Sequence, residues 1–138
     1  METTLKGDIK DDTEQATRNS VEYGVDGIIR IIETGYQSRQ TILALCEAAT
    51  KLIEQLHKNN NNAYVLVDIC GITGYSKEVH DERGAFLRLE CEAMAVFGAS
   101  SMTRAVGNWM IKHYNQGHPV KYFASQEKAL AWLSQMYS

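Results

Sequence analysis

Basic runs, long apolar stretches and an even set of cysteines are all missing from this 138-residue chain. Lysine and arginine total 14 against 17 acidic residues, never form a run, and leave a formal net charge of -3. A nucleic-acid binder announces itself with a basic stripe, so the chain offers no electrostatic case for a nucleic-acid partner. No apolar run approaches the ~20 residues of a membrane span. The segment from Met1 to Arg18 is polar and acidic-leaning and lacks the apolar centre of a signal peptide. Cys46, Cys70 and Cys91 cannot all pair within one chain, and their scattered apolar settings read as reduced thiols. Cytoplasmic residence is the expectation. Proline occurs once, at Pro119, and with 44% hydrophobic residues the composition is that of a globular protein. A single domain of this length buries a core without disulfides or metals.

The chemistry-bearing motifs are equally sparse. There is no glycine-rich nucleotide fingerprint and no nucleophile–base pair. His57, His80, His113 and His118 show no ligand spacing with one another or with cysteine. The reading is therefore of a protein with no catalytic residues, no metal and no cofactor.

What is present is a rhythm. In the second half a short apolar strand, a small-residue turn and a helix start recur three times. Tyr64–Val67 runs into Asp68 and a Gly71–Ser76 turn; Ala93–Phe97 into Gly98–Ser101; Val120–Phe123 into Ala124, Ser125 and a closing helix Gln126–Tyr137. Such alternation predicts an α/β domain with parallel strand pairs whose ends share one edge, where ligands and partners usually sit. Upstream, Val21–Val25 and Ile28–Glu33 flank Asp26 and Gly27, which predicts a two-residue hairpin turn with positive φ at both central positions. That second strand ends at Gly35. Ile42, Leu45, Cys46, Ala49, Leu52, Ile53 and Leu56 form a helical stripe capped by Thr34 or Ser38 and ended by Asn59–Asn62. Ser76 caps a further helix through about Leu89. Met102, Ala105, Val106, Trp109, Met110 and His113 give the next helix a stripe read as core, with Gly117 and Pro119 as its stop. Residues 1–18 read as a solvated or partly ordered extension, and 19–138 as the folded domain.

Three stretches carry a family resemblance: Val65–Asp68 followed by Gly71–Gly74; Val96–Gly98 running into Ser100, Ser101, Ala105 and Val106; and Val120–Phe123 with Ala129–Leu133. Together they resemble the SpoIIAA-like STAS group, over roughly Val21 to Leu133. The resemblance implies a mixed β-sheet of about five strands, opened by an N-terminal hairpin, with about four helices packed against it. Phosphorylatable members of that family carry an Asp-Ser-Ser-Gly or Asp-Ser-Thr-Gly motif at a helix start. Here Gly71–Ser76 takes that place with Thr73 and Ser76 but no Asp-Ser pair, so a phospho-switch is not implied. The group also carries suggestions of apolar-ligand binding and membrane association.

The candidate binding residues are Asp68, Gly71, Thr73, Ser76, Ser100, Ser101, Arg104 and Trp109. Ser100 and Ser101 open a helix whose first turn leaves backbone donors unpaired, with Arg104 alongside, so a phosphate-like group could seat there. The plainer reading is a helix cap. Asp68 beside a glycine turn invites a catalytic role, but a carboxylate that bonds its own loop is the better reading. Cys70 has no basic neighbour to activate it and reads as a small hydrophobe. Met94, Met102, Met110, Met136, Trp109 and Trp132 are adaptable apolar groups, and Tyr36 is a candidate partner contact. Two functions follow. The first is a non-enzymatic regulatory module binding a protein partner or anionic group at the strand-end edge. The second is a carrier or sensor of a lipid-like amphipathic ligand, with its tail among Leu87, Met102, Val106 and Trp109. Peripheral membrane contact is a weaker variant, because no basic face is present. A homodimer is compatible with the sequence but not required by it.

Overall fold

The computed structural model describes residues 2–4, 17–77, 89–114 and 119–136. Six strands form one mixed sheet in sequence order. They are β1 (Glu2–Thr4), β2 (Arg18–Tyr23), β3 (Ile28–Gln37), β4 (Tyr64–Tyr75), β5 (Ala93–Phe97) and β6 (Val120–Phe123). The helices are α1 (Arg39–Lys58), α2 (Ser101–Tyr114) and α3 (Gln126–Met136). β1–β2 and β2–β3 are antiparallel, and β3–β4, β4–β5 and β5–β6 are parallel. This is the expected mixed sheet opened by an antiparallel hairpin, with five principal strands and a three-residue sixth at the N-terminal edge. The helix expected between Ser76 and Leu89 falls largely outside the described residues.

Three layers result. Val65 and Val67 of β4, Met94 and Val96 of β5 and Ile29 and Ile31 of β3 join Ile42, Leu45, Ala49 and Ile53 of α1 in the larger core. Leu66, Ala93, Ala95 and Phe97 meet Ala129 and Leu133 of α3 on the opposite face. The first part of β4, Tyr64–Val67, and all of β5 are covered on both sides, which is why these stretches read as unbroken apolar runs rather than alternation. α1 begins with a capping box: Ser38 Oγ accepts from the Thr41 amide, and Thr41 Oγ1 from the Ser38 amide. It ends where Asn60 adopts φ 61°, as the asparagine run predicts. Under its start, fully buried Asn19, Gln37 and Thr41 satisfy one another: the two carboxamides pair reciprocally at 2.9 Å, and Thr41 Oγ1 donates to Gln37 Oε1.

Several expectations need correction. The hairpin connection is the four residues Gly24–Gly27, and only Gly27 has positive φ. Asp26 instead stabilises it through its side chain, accepting from the Ile28 amide and from both terminal nitrogens of Arg30. β3 does not stop at Gly35 but runs to Gln37, and the Gly71–Ser76 turn is not a turn. β4 continues through Gly71 and Gly74 to Tyr75, paired with Thr34–Gln37 across two register shifts. Glycine was read as punctuation, whereas here it relieves crowding: a Cβ at Gly71 would lie 3.1 Å from Thr34 Oγ1. Of residues 1–18, Glu2–Thr4 pairs with Arg18–Ser20, and Thr17 is buried.

Candidate functional site

The β4–β5 ladder ends at Asp68 and Phe97. β4 then follows β3 alone, while the chain leaving β5 turns at Gly98 and enters α2. Gly98 has φ 109°, and a Cβ there would lie 2.6 Å from the Cys70 amide nitrogen and 2.8 Å from its Sγ. Only glycine fits this crossing without displacing β4. Asp68, Cys70, Gly98 and the start of α2 are thereby brought together.

The polar groups at this edge spend themselves internally. Asp68 Oδ1 accepts from the Cys70 amide at 2.8 Å, the self-bonding expected of it. Burial, then the adjacent Asp68, pushes the thiol of exposed Cys70 above its ordinary value, which disfavours its thiolate. Ser100 caps α2, its Oγ accepting from the Thr103 amide at 3.2 Å and lying 2.9 Å from Thr103 Oγ1. Half-buried Arg104 donates from Nη1 to the Ala99 carbonyl at 2.9 Å. The hydroxyl and guanidinium of the expected anion seat are thus engaged, and Ser101 is exposed. Gly71 and Thr73 lie farther along β4, both exposed, and the Ser76 amide donates to the Gln37 carbonyl. Among the described residues no hydrogen bond links Gly71, Thr73 or Ser76 to Ser100, Ser101 or Arg104. His80, Asp81 and Leu87 fall outside the described residues, as do the side chains of Met110 and His113.

α2 overturns the reading of its own stripe. Met102, Val106 and Trp109 face outward and are 76%, 52% and 53% exposed. The opposite side meets the sheet through Gly107, Asn108 and Ile111, at i, i+1 and i+4. Ile111 is buried in the α1-side core beside Val120 and Tyr122. A Cβ on Gly107 would lie 2.8 Å from the Tyr122 ring. Asn108 Oδ1 accepts from the Tyr122 amide at 2.8 Å, and Asn108 Nδ2 donates to the Tyr122 carbonyl at 3.2 Å. Periodicity located two faces on this helix but could not say which one the sheet takes. The missed residue is Asn108. Its signal was there: an asparagine beside a glycine in a helix interior is costly in propensity and calls for a local partner. Of the other aromatic and sulfur groups, Met94 is fully buried, Trp132 packs on Phe123 with centroids 5.5 Å apart, and Tyr36 is half-buried in β3.

At the opposite end of the sheet, Glu92 Oε1 accepts from the Ala63 amide at 2.5 Å and lies 3.0 Å from His57 Nε2. Partial burial opposes ionisation of Glu92, but these two hydrogen bonds outweigh it and hold the carboxyl below its ordinary value. Burial, then the Glu92 charge, pushes the neighbouring Cys91 thiol up to about 12. Among the described residues no group of three or more His, Cys, Asp or Glu could hold a metal ion. No described helix is long and apolar enough to cross a membrane.

A hairpin-opened mixed sheet with parallel β3–β6 and helices on both faces defines the SpoIIAA-like class of α/β domains. The chain is similar in structure to an uncharacterized DUF3478-family protein from Shewanella loihica PV-4, described as having a SpoIIAA-like fold. The TM-score is 0.57 at 19% identity, covering 91% of this chain and 98% of that one. It is also similar to the anti-sigma factor antagonist SpoIIAA in its unphosphorylated form, with TM-score 0.54, 12% identity, and 84% and 97% coverage. At these identities the likeness is one of fold. Residues 26–137 match the family described as a domain of unknown function, DUF7793, and the chain belongs to that family. No curated protein matches the chain.

Proposed function

We propose that this domain is a non-enzymatic, cytoplasmic interaction module that binds a protein partner at the strand-end edge, with the outward face of α2 as its contact surface. One observation carries the reading: Met102, Val106 and Trp109 share one exposed face of a helix whose opposite face is fixed to the sheet. Large apolar side chains grouped on a surface mark contact sites more often than scattered ones do. An anionic ligand is the less favoured target, because Ser100 and Arg104 already bond within the chain. The carrier reading needs Met102, Val106 and Trp109 to line an enclosed space around an apolar tail, and their exposure argues against it. SpoIIAA, named an anti-sigma factor antagonist, is a precedent for the fold and not for these residues.

The test compares wild type with Val106→Glu in quantitative affinity capture from the native cell extract. The reading expects a discrete protein retained by wild type and depleted about tenfold or more by Val106→Glu, as one contact worth ~1.4 kcal/mol would give. Identical captured sets would overturn it. So would a stoichiometric lipid in native mass spectrometry of the purified protein, which would instead establish the carrier.

A further inference from the structure

Among the described residues β6 is an edge strand, and edge strands carry backbone donors and acceptors that invite pairing with another chain. At Tyr122 that invitation is already answered. A single side chain, Asn108, accepts from the Tyr122 amide at 2.8 Å and donates to its carbonyl at 3.2 Å. This is the two-point pairing that a residue of an added strand would make. A carboxamide is suited to it because it presents one acceptor and one donor in a plane, as a peptide group does. Gly107 makes the approach possible, since a Cβ there would lie 2.8, 3.0 and 3.2 Å from three carbons of the Tyr122 ring. Gly and Asn in succession are both poor helix formers. Their placement side by side on the sheet-facing side of α2 is explained by what they do against Tyr122.

We infer that Asn108 and Gly107 form a clamp that occupies the β6 edge as a surrogate strand and fixes the rotation of α2, so that Met102, Val106 and Trp109 point outward. Asn108 is a positioning residue: it acts on the contact surface through the helix. While the clamp is closed, Tyr122 is barred from strand addition, and a partner meets this end of the molecule as a helix face. The significance of the clamp rests on the partner-binding reading, but its existence is tested on the free protein, so the two fail separately.

The experiment is amide hydrogen exchange by NMR on the full chain, with no partner present. Asn108→Ala is expected to speed exchange of the Tyr122 amide about tenfold or more while the central β4 amides keep their protection. Asn108→Asp keeps an acceptor for the amide but sets a carboxylate oxygen against the Tyr122 carbonyl, so it too is expected to exchange faster than wild type. Gly107→Ala improves helix propensity yet should also expose the Tyr122 amide, because its methyl group lifts α2 from the ring. Unchanged Tyr122 exchange in Asn108→Ala or in Gly107→Ala would overturn the clamp. So would an Asn108→Asp protein whose Tyr122 amide stays as protected as in wild type.

Discussion

α1 and α2 are both amphipathic, both follow a strand, and both lie on the same side of the sheet, yet they are used in opposite senses. α1 turns Ile42, Leu45, Ala49 and Ile53 into the core and gives solvent its charged side, including the exposed Lys51–Glu47 pair. α2 turns Gly107 and Asn108 inward and leaves Met102, Val106 and Trp109 outside. Hydrophobic burial alone would rotate α2 the other way. The inward hydrogen bonds at Tyr122, together with Ile111, offset it. A helix held by polar bonds and shape can spare its apolar stripe for something else. α1 is built to stabilise; α2 is built to present.

The sharpest way to break this contrast is to truncate a stripe residue on each helix. Leu45→Ala, at a fully buried position of α1, should cost roughly 2–5 kcal/mol in urea unfolding. Val106→Ala should stay within about 0.5 kcal/mol of wild type, as exposed substitutions do. Comparable losses at both positions would mean that α2 buries its stripe after all. Next in size is Gly98→Ala, where α2 departs from β5. Positive φ and the Cys70 backbone both oppose a side chain there, and roughly 1–3 kcal/mol of destabilisation is expected by thermal or urea melting.

Smaller effects sharpen the contrast at the stabilising end of the molecule, where His57 of α1 meets Glu92. Because Glu92 is held below its ordinary value of 4.5, its contribution is present above that pH and fades as pH falls through the lowered value. The urea unfolding free energy of wild type should therefore drop between pH 5 and 3 more than that of Glu92→Gln, by under ~1 kcal/mol for so exposed a pair. Parallel pH profiles would remove Glu92 from the account. Smallest of all, Cys70 should alkylate more slowly at pH 8 than an unperturbed thiol despite its exposure, because its thiolate is disfavoured. Ordinary reactivity would contradict the raised pKa.

Much of the architecture was legible in the residues. α1 announced itself through a long i, i+3, i+4 stripe, and the buried strands through the isoleucines that bracket Arg30 in Ile28–Ile32 and the apolar run Tyr64–Val67. Gly71 and Gly74 misled, because glycine marks both a turn and a close strand approach, and only the partner strand decides between them. The α2 stripe misled for a different reason: periodicity fixes the angle between two faces but not which faces inward. Asn108 was legible only as an oddity of propensity, since Tyr122, its partner, lies 14 residues away. Of the eight candidate residues, Asp68, Ser100, Ser101 and Arg104 lie around the Gly98 crossing, where polar groups largely satisfy one another. Trp109 alone shares the exposed apolar face.

The most direct test places a photo-crosslinking amino acid at Val106 on α2 and, separately, at Leu43, an exposed apolar residue of α1, in cells that make the protein. The account predicts a discrete protein adduct from position 106 and none from position 43. Adducts from position 43 alone, or the same pattern from both, would contradict it.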